Sequence, residues 1–144
     1  MARLSVILLV LSLAASCVPR VPGNVPSRAV DEARSFSFVT LGLALCVDLR
    51  PDGTARLSAE EGRVAREIIM LRGTYSVAAS GDVVLSWARR WVNDREVAAP
   101  RMTSRGHLDE TGLSLWWTER RASATPRRWT LMPQAPTKWA QGGE

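Results

Sequence analysis

From Ser35 onward apolar residues fall at every second position in one run after another, and no run holds a helical period for long. Alternation of this kind puts successive side chains on opposite faces of an extended chain, so from Ser35 the pattern turns mainly to strands. Ser35–Leu49 sets Val39, Leu41, Leu43, Leu45, Val47 and Leu49 on one face. The other face carries Phe36, Phe38, Thr40, Gly42, Ala44 and Cys46, the pattern of a single strand buried on both sides. Arg50-Pro51-Asp52-Gly53 is a tight-turn sequence, and Thr54–Ala59 completes a hairpin. Ser58-Ala59-Glu60-Glu61 has the form of a capping box, with Val64 and Ile68 four apart, which predicts one short helix near residues 59–66. Alternation returns in Glu67–Ala78 and, after the turn Ser80-Gly81-Asp82, in Val83–Val92. Met102–Asp109 and Leu113–Arg120 flank a third turn at Glu110-Thr111-Gly112, Arg127–Met132 reads as a last strand, and residues 134–144 read as a loose, flexible tail.

Seven short segments joined by turns, with no helix long enough for a parallel crossover, predict an all-β fold: an antiparallel meander that closes into a small barrel or half-barrel. Curling removes the sticky edges of an open sheet. Leu49-Arg50-Pro51-Asp52-Gly53-Thr54 resembles the strand–DGT–strand hairpins of small lipocalin-like bacterial lipoproteins. Leu71-Arg72-Gly73-Thr74-Tyr75-Ser76-Val77 with Gly81-Asp82-Val83-Val84-Leu85 resembles their G-x-Y…G-D hairpins. The resemblance covers roughly residues 36–132. It rests on turn motifs and therefore bears on fold alone.

The N-terminus carries a different kind of information. Arg3 precedes an apolar run, Leu4 to Ala15, and then Ala14-Ala15-Ser16-Cys17. A helix over that run spans about 18 Å at about 1.5 Å per residue, short of a hydrocarbon core about 30 Å thick. Charge, short apolar run and small residues together make a secretory signal. The stretch resembles the lipobox of bacterial lipoproteins, which implies cleavage before Cys17 and a diacylglyceryl group on its sulfur. The lipobox usually has Leu three residues before the cysteine, where this chain has Ala14. Ala14-Ala15-Ser16 also suits an ordinary secretory cut, which would leave a soluble protein free to form a Cys17–Cys46 disulfide. The domain plan is then a signal peptide over 1–16, a lipidated Cys17 with a proline-rich disordered tether over 17–34, a β domain over 35–133 and the tail. Pro19, Pro22 and Pro26 stiffen the tether and remove donors from it. Val18 rather than Asp after the cysteine implies outer-membrane sorting if the source is Gram-negative.

Little in the chain points to catalysis. His107 is the sole histidine; His107-Leu108-Asp109-Glu110 sets it beside carboxylates, but no second histidine or thiolate completes a metal site. Gly112-Leu113-Ser114-Leu115-Trp116 lacks the second glycine of a nucleophile elbow, and no phosphate-cradling loop is present. No enzyme activity and no cofactor are expected. The unusual item is tryptophan, six residues against two Phe and one Tyr, several beside arginine pairs. Indole offers a flat apolar face and arginine a fork for carboxylate or phosphate. Arg89, Arg90, Trp91, Trp116, Arg120, Arg121 and Arg128 are thus the expected surface for an anionic ligand or partner, while Trp87, Trp117 and Trp129 are expected to fill the core. The net charge of +5 comes almost wholly from arginine, Lys138 being the one lysine, a bias of composition more than of binding.

The expectation is a cell-envelope lipoprotein, held to the membrane by an N-terminal lipid, with a non-catalytic binding or interaction module as its β domain. Its partner would be an envelope glycan, lipid or protein, and not nucleic acid. A structural or assembly accessory, and a secreted soluble β protein with the disulfide, are the alternatives. Cys17→Ala should abolish metabolic lipid labelling and release the protein from the membrane fraction. A wild-type chain that already fractionates as soluble would sink the lipoprotein reading.

Overall fold

The computed structural model describes residues 28–99, 102–117 and 127–144. Among them are nine strands and no helix: β1 (Arg34–Thr40), β2 (Leu43–Leu49), β3 (Thr54–Glu61), β4 (Glu67–Val77), β5 (Asp82–Val92), β6 (Arg95–Val97), β7 (Met102–Asp109), β8 (Gly112–Trp117) and β9 (Arg127–Gln134). Every pairing is antiparallel. The order is β4-β3-β2-β1-β9-β8-β7-β5-β6, and a further β4–β5 pairing closes the sheet on itself. β6 and β7 lie end to end along β5: β7 pairs with Asp82–Trp87 and β6 with Arg90–Val92. The result is an eight-stranded meander barrel with β6 as an extra short strand, closed as the alternation predicted and not a half-barrel.

Two local expectations are corrected. Ser35–Leu49 is a hairpin rather than one strand, because Leu41-Gly42 reverses the chain and pairs Thr40 with Leu43. Gly42 takes φ +92°, a conformation that side chains resist, and this lets the turn form inside what looks like unbroken alternation. The predicted helix near 59–66 is absent. Ala59, Glu60 and Glu61 continue β3 against Ile69, Ile68 and Glu67, because alternation serves the barrel better than an isolated capping box serves one turn.

Inward-facing residues fill the barrel. Phe36, Leu45, Leu49, Leu57, Leu71, Leu85, Leu113, Leu115 and Leu131 are all fully buried. An eight-stranded barrel has an interior about wide enough to be packed by its own side chains. Gly73 marks an irregularity in the wall. The β4–β5 register shifts there, and a Cβ at Gly73 would lie 1.9 Å from the Ser86 carbonyl oxygen.

The two ends differ. At one end the strands are joined by tight turns (50–53, 78–81, 110–111), and residues 28–33 cross it. Arg28 exchanges backbone hydrogen bonds with Val77. The Tyr75 hydroxyl accepts from the Val30 amide at 2.8 Å and donates to the Arg50 carbonyl at 2.7 Å. Residues 28–33 thus cover that end, hereafter the sealed end, beside a cleft at the 78–81 turn, and the other, open end keeps a cleft of its own. The part of the expected tether from Arg28 on is therefore docked; its prolines, the signal segment and Cys17 lie outside the described residues.

The expected loose tail is also docked. After β9 the chain folds over the outer face of β1–β3 and buries Trp139 and Ala140. Its anchor is Asp48, which is 1% exposed although it points away from the barrel interior. Oδ1 of Asp48 accepts from Ser35 Oγ at 2.5 Å and Thr137 Oγ1 at 2.9 Å; Oδ2 accepts from Arg56 Nε at 3.0 Å and Nη2 at 2.7 Å. A buried carboxylate needs this density of donors to offset its lost hydration. Trp139 is then clamped between guanidiniums, Arg50 at 3.8 Å and Arg56 at 5.0 Å from the ring, with Arg50 Nε donating to the Trp139 carbonyl at 2.6 Å. Trp139→Ala should cost about 3–5 kcal/mol in urea unfolding, the range for truncating a buried aromatic side chain.

Cys46 lies on the same outer face, where Gln134 Nε2 donates to its sulfur at 3.4 Å. Burial, and then the Asp48 carboxylate, push its pKa from 9.0 up to about 11. That is about a hundredfold less thiolate at pH 8 than a free thiol carries. Alkylation by iodoacetamide should be slower by about that factor in the folded protein and recover in urea.

Candidate functional site

The outer wall of β7, β8 and β9 carries one exposed aromatic platform. Leu113, Leu115 and Trp117 point inward, so Ser114 and Trp116 point out. Trp116 is 51% exposed. Arg128 pairs with it across the β8–β9 ladder, and its Nη2 donates to Ser114 Oγ at 3.1 Å. Arg105, on β7, and Trp116 both line a shallow cleft of about 320 Å³ with His107 and Asp82. Arg105 has no carboxylate partner among the described residues. The wall thus offers an indole face, two guanidiniums, a hydroxyl and an imidazole within one cleft, with the Asp82 carboxylate held by His107 and Ser80 at its edge.

The other expected surface residues are elsewhere. Trp91 stands on β5, and from Val84, the neighbour of Arg105, to Trp91 is about 23 Å of strand at about 3.3 Å per residue. Trp91 is also covered, with Arg89 at 4.7 Å and Arg72 at 5.3 Å from its ring. Arg89 in turn holds Glu96 through two hydrogen bonds of 2.9 Å, which raise the Arg89 pKa and lower that of Glu96. Arg90 is paired with Leu71, a core position, and its Nε is buried without a partner. Arg120 and Arg121 lie outside the described residues. The structure therefore brings together Trp116 and Arg128 and separates them from Arg89, Arg90 and Trp91. Arg105 was missed; only its place in the outward set of β7 could have singled it out.

His107 does not pair with Asp109. Its Nδ1 lies 3.2 Å from Asp82 Oδ1, and Ser80 Oγ donates to Asp82 Oδ2 at 2.9 Å. The His107 contact, then the Ser80 hydroxyl, hold the Asp82 carboxyl below its usual range. The carboxylate sits between hydroxyl and imidazole, so the imidazole is not placed to take the serine proton. Asp109 is occupied in its own turn, accepting from the Thr111 hydroxyl at 2.6 Å and the Thr111 amide at 2.7 Å, which lower its pKa. Among the described residues, no three His, Cys, Asp or Glu side chains gather as a metal site would require.

Trp87 and Trp117 are core residues, and each indole N–H is satisfied. Trp87 donates to Ser104 Oγ at 2.8 Å, and Trp117 reaches across the barrel to Glu61 Oε1 at 3.0 Å. Trp129 is half-buried against Phe38, with ring centroids 5.0 Å apart, and its Nε1 has no partner. It lines the cleft at the open end, about 600 Å³, together with Leu43, Glu61, Arg63 and Arg127. A further cleft of about 800 Å³ lies at the sealed end between residues 28–34 and the 78–81 turn. Compared with known proteins, the chain matches no family model, no curated protein and no solved structure.

Proposed function

We propose that this is a cell-envelope lipoprotein, held through Cys17, whose barrel is a non-catalytic binding module for an acidic saccharide of the envelope. The observation that carries the ligand class is the Trp116 wall. A sugar ring presents a C–H face that stacks on indole, and a carboxylate on the sugar meets the guanidinium forks of Arg105 and Arg128. The well-filled interior favours this outer wall over a barrel-enclosed ligand. Location rests on the N-terminal segment: Arg3, the short apolar run and Cys17 in a lipobox-like setting. The alternatives are a structural or assembly accessory that uses the same Trp116 wall against a protein, and a secreted soluble protein.

Titration with a uronic-acid oligosaccharide should quench intrinsic tryptophan fluorescence, and the matching neutral oligosaccharide should not. Trp116→Ala and Arg128→Ala should each weaken binding about tenfold, the scale of one stacking contact or one charged hydrogen bond. Trp91→Ala should leave the affinity unchanged, because that ring is already covered by arginines. Equal binding of the neutral sugar, or an unaltered affinity in Trp116→Ala, would overturn the ligand assignment.

A further inference from the structure

The outer face of β3, β4 and β5 carries a row of arginines. Arg56 pairs with Arg72 across the β3–β4 ladder, and Arg72 pairs with Arg89 across the β4–β5 ladder. Residues directly opposite stand about 5 Å apart, and like charges so placed repel. A bulge brings Arg89 into the row. Arg72 faces Arg89 while Gly73 faces Trp87, so Ala88 is an extra residue in β5. Trp87 is buried in the barrel, and regular alternation would point Arg89 inward as well. The extra residue turns it outward, against Arg72.

The flanking arginines of the row are neutralised and the middle one is not. Asp48 takes Arg56 at 2.7 Å and 3.0 Å, and Glu96 takes Arg89 through its Nε and Nη2. The nearby Glu60 and Arg66 answer each other at 2.6 Å. Arg72 has no hydrogen-bond or carboxylate partner among the described residues, and its Nε is covered without an acceptor. Its outward neighbours along β4, Met70 and Thr74, bring no charge. Arg72 and Arg89 converge on one indole, lying 5.3 Å and 4.7 Å from the Trp91 ring. A guanidinium set between two others and short of an acceptor costs stability that a bound anion would restore.

We propose that the outer face of β3–β5 binds a tetrahedral oxyanion, the phosphate or sulfate of an ester, between Arg72 and Arg89, with the Trp91 ring against both guanidiniums. One carboxylate satisfies one fork, as Glu96 does with Arg89. A tetrahedral oxyanion has further oxygens, and can accept from the Arg72 fork and from Arg89 Nη1 together. Trp91 and the Trp116 wall lie far apart on the barrel, so the inference is independent of the saccharide reading and of lipid on Cys17.

The test uses the full chain and follows the arginine Nε–Hε resonances by NMR at constant ionic strength. Inorganic phosphate and inorganic sulfate should shift the Arg72 and Arg89 signals saturably, the tighter of the two naming the ester, whereas acetate and chloride should not. Arg72→Gln should weaken phosphate binding read at Arg89 by about tenfold, the scale of one charged hydrogen bond. Arg72→Lys keeps the charge without the fork and should also weaken it. Arg128→Ala, on the Trp116 wall, should leave it intact. Without phosphate, Arg72→Gln should raise the urea midpoint, because the charge between Arg56 and Arg89 is gone. Equal shifts with acetate, an unaltered affinity in Arg72→Gln, or a lowered midpoint in that variant, the mark of a purely structural arginine, would each overturn the proposal.

Discussion

Closure of the sheet depends on three residue pairs, Ser35 with Gln134, Phe36 with Pro133 and Ser37 with Met132. The other ladders of the barrel wall join strands adjacent along the chain, β6 being the extra strand between β5 and β7. This one must bring the two ends of the domain together, and without it β1 and β9 would be open edges. The pairing is short, and Pro133 has no amide to give to it. The C-terminal segment beyond β9 secures it. Thr137 and Trp139 lie over β1–β3, where Ser35, Asp48 and Arg56 hold them. The carboxylate of Asp48 thus serves as a latch for a seam formed by other residues. Its burial is tolerable because both oxygens are saturated with donors.

The seam shows where legibility in the sequence stops. Strand identity was readable almost throughout, since inward positions such as Leu45, Val47, Leu57, Leu71, Val83 and Leu85 alternate strictly with small or polar neighbours. Closure was inferable from the meander and the absence of any helix to cover an edge. The hairpin at Leu41-Gly42 was not readable, because Val39, Leu41 and Leu43 keep the alternation while the chain reverses, and only Gly42 hints at it. The docked tail was not readable either. Asp48 in an apolar run, Arg50 and Arg56 on either side of a turn, and Trp139 far downstream carry no local pattern, and their partnership exists only in three dimensions.

The candidate site was half legible. Alternation in β8 places Trp116 outward and Trp117 inward, and the pairing of Trp116 with Arg128 follows from a β8–β9 hairpin. Proximity in sequence misled at Arg89-Arg90-Trp91. Adjacent strand residues point to opposite faces, so one of the two arginines turns toward the interior and the other is spent on Glu96. Arg105 joined the wall through a neighbouring strand, at a position no motif marks. Exposed aliphatics at the open end were indistinguishable from core residues by type. Leu41 and Leu43 differ only in which side of a turn they occupy.

The positions of the two chain ends have a bearing on how this domain is handled by evolution or by a designer. Residue 28 enters at the sealed end, and the carbonyl of Gly143 is held there by Arg50 at 3.0 Å. Residue 28 and the C-terminal segment therefore both stand at one pole of the barrel, with the Leu41-Gly42 and Asn93-Asp94 turns at the other. A second domain could be spliced on at either terminus, or the ends joined and the chain reopened at the Asn93-Asp94 turn, with the strand order of the barrel preserved. Such a fold is a modular cartridge: what carries it can change while what it presents stays the same.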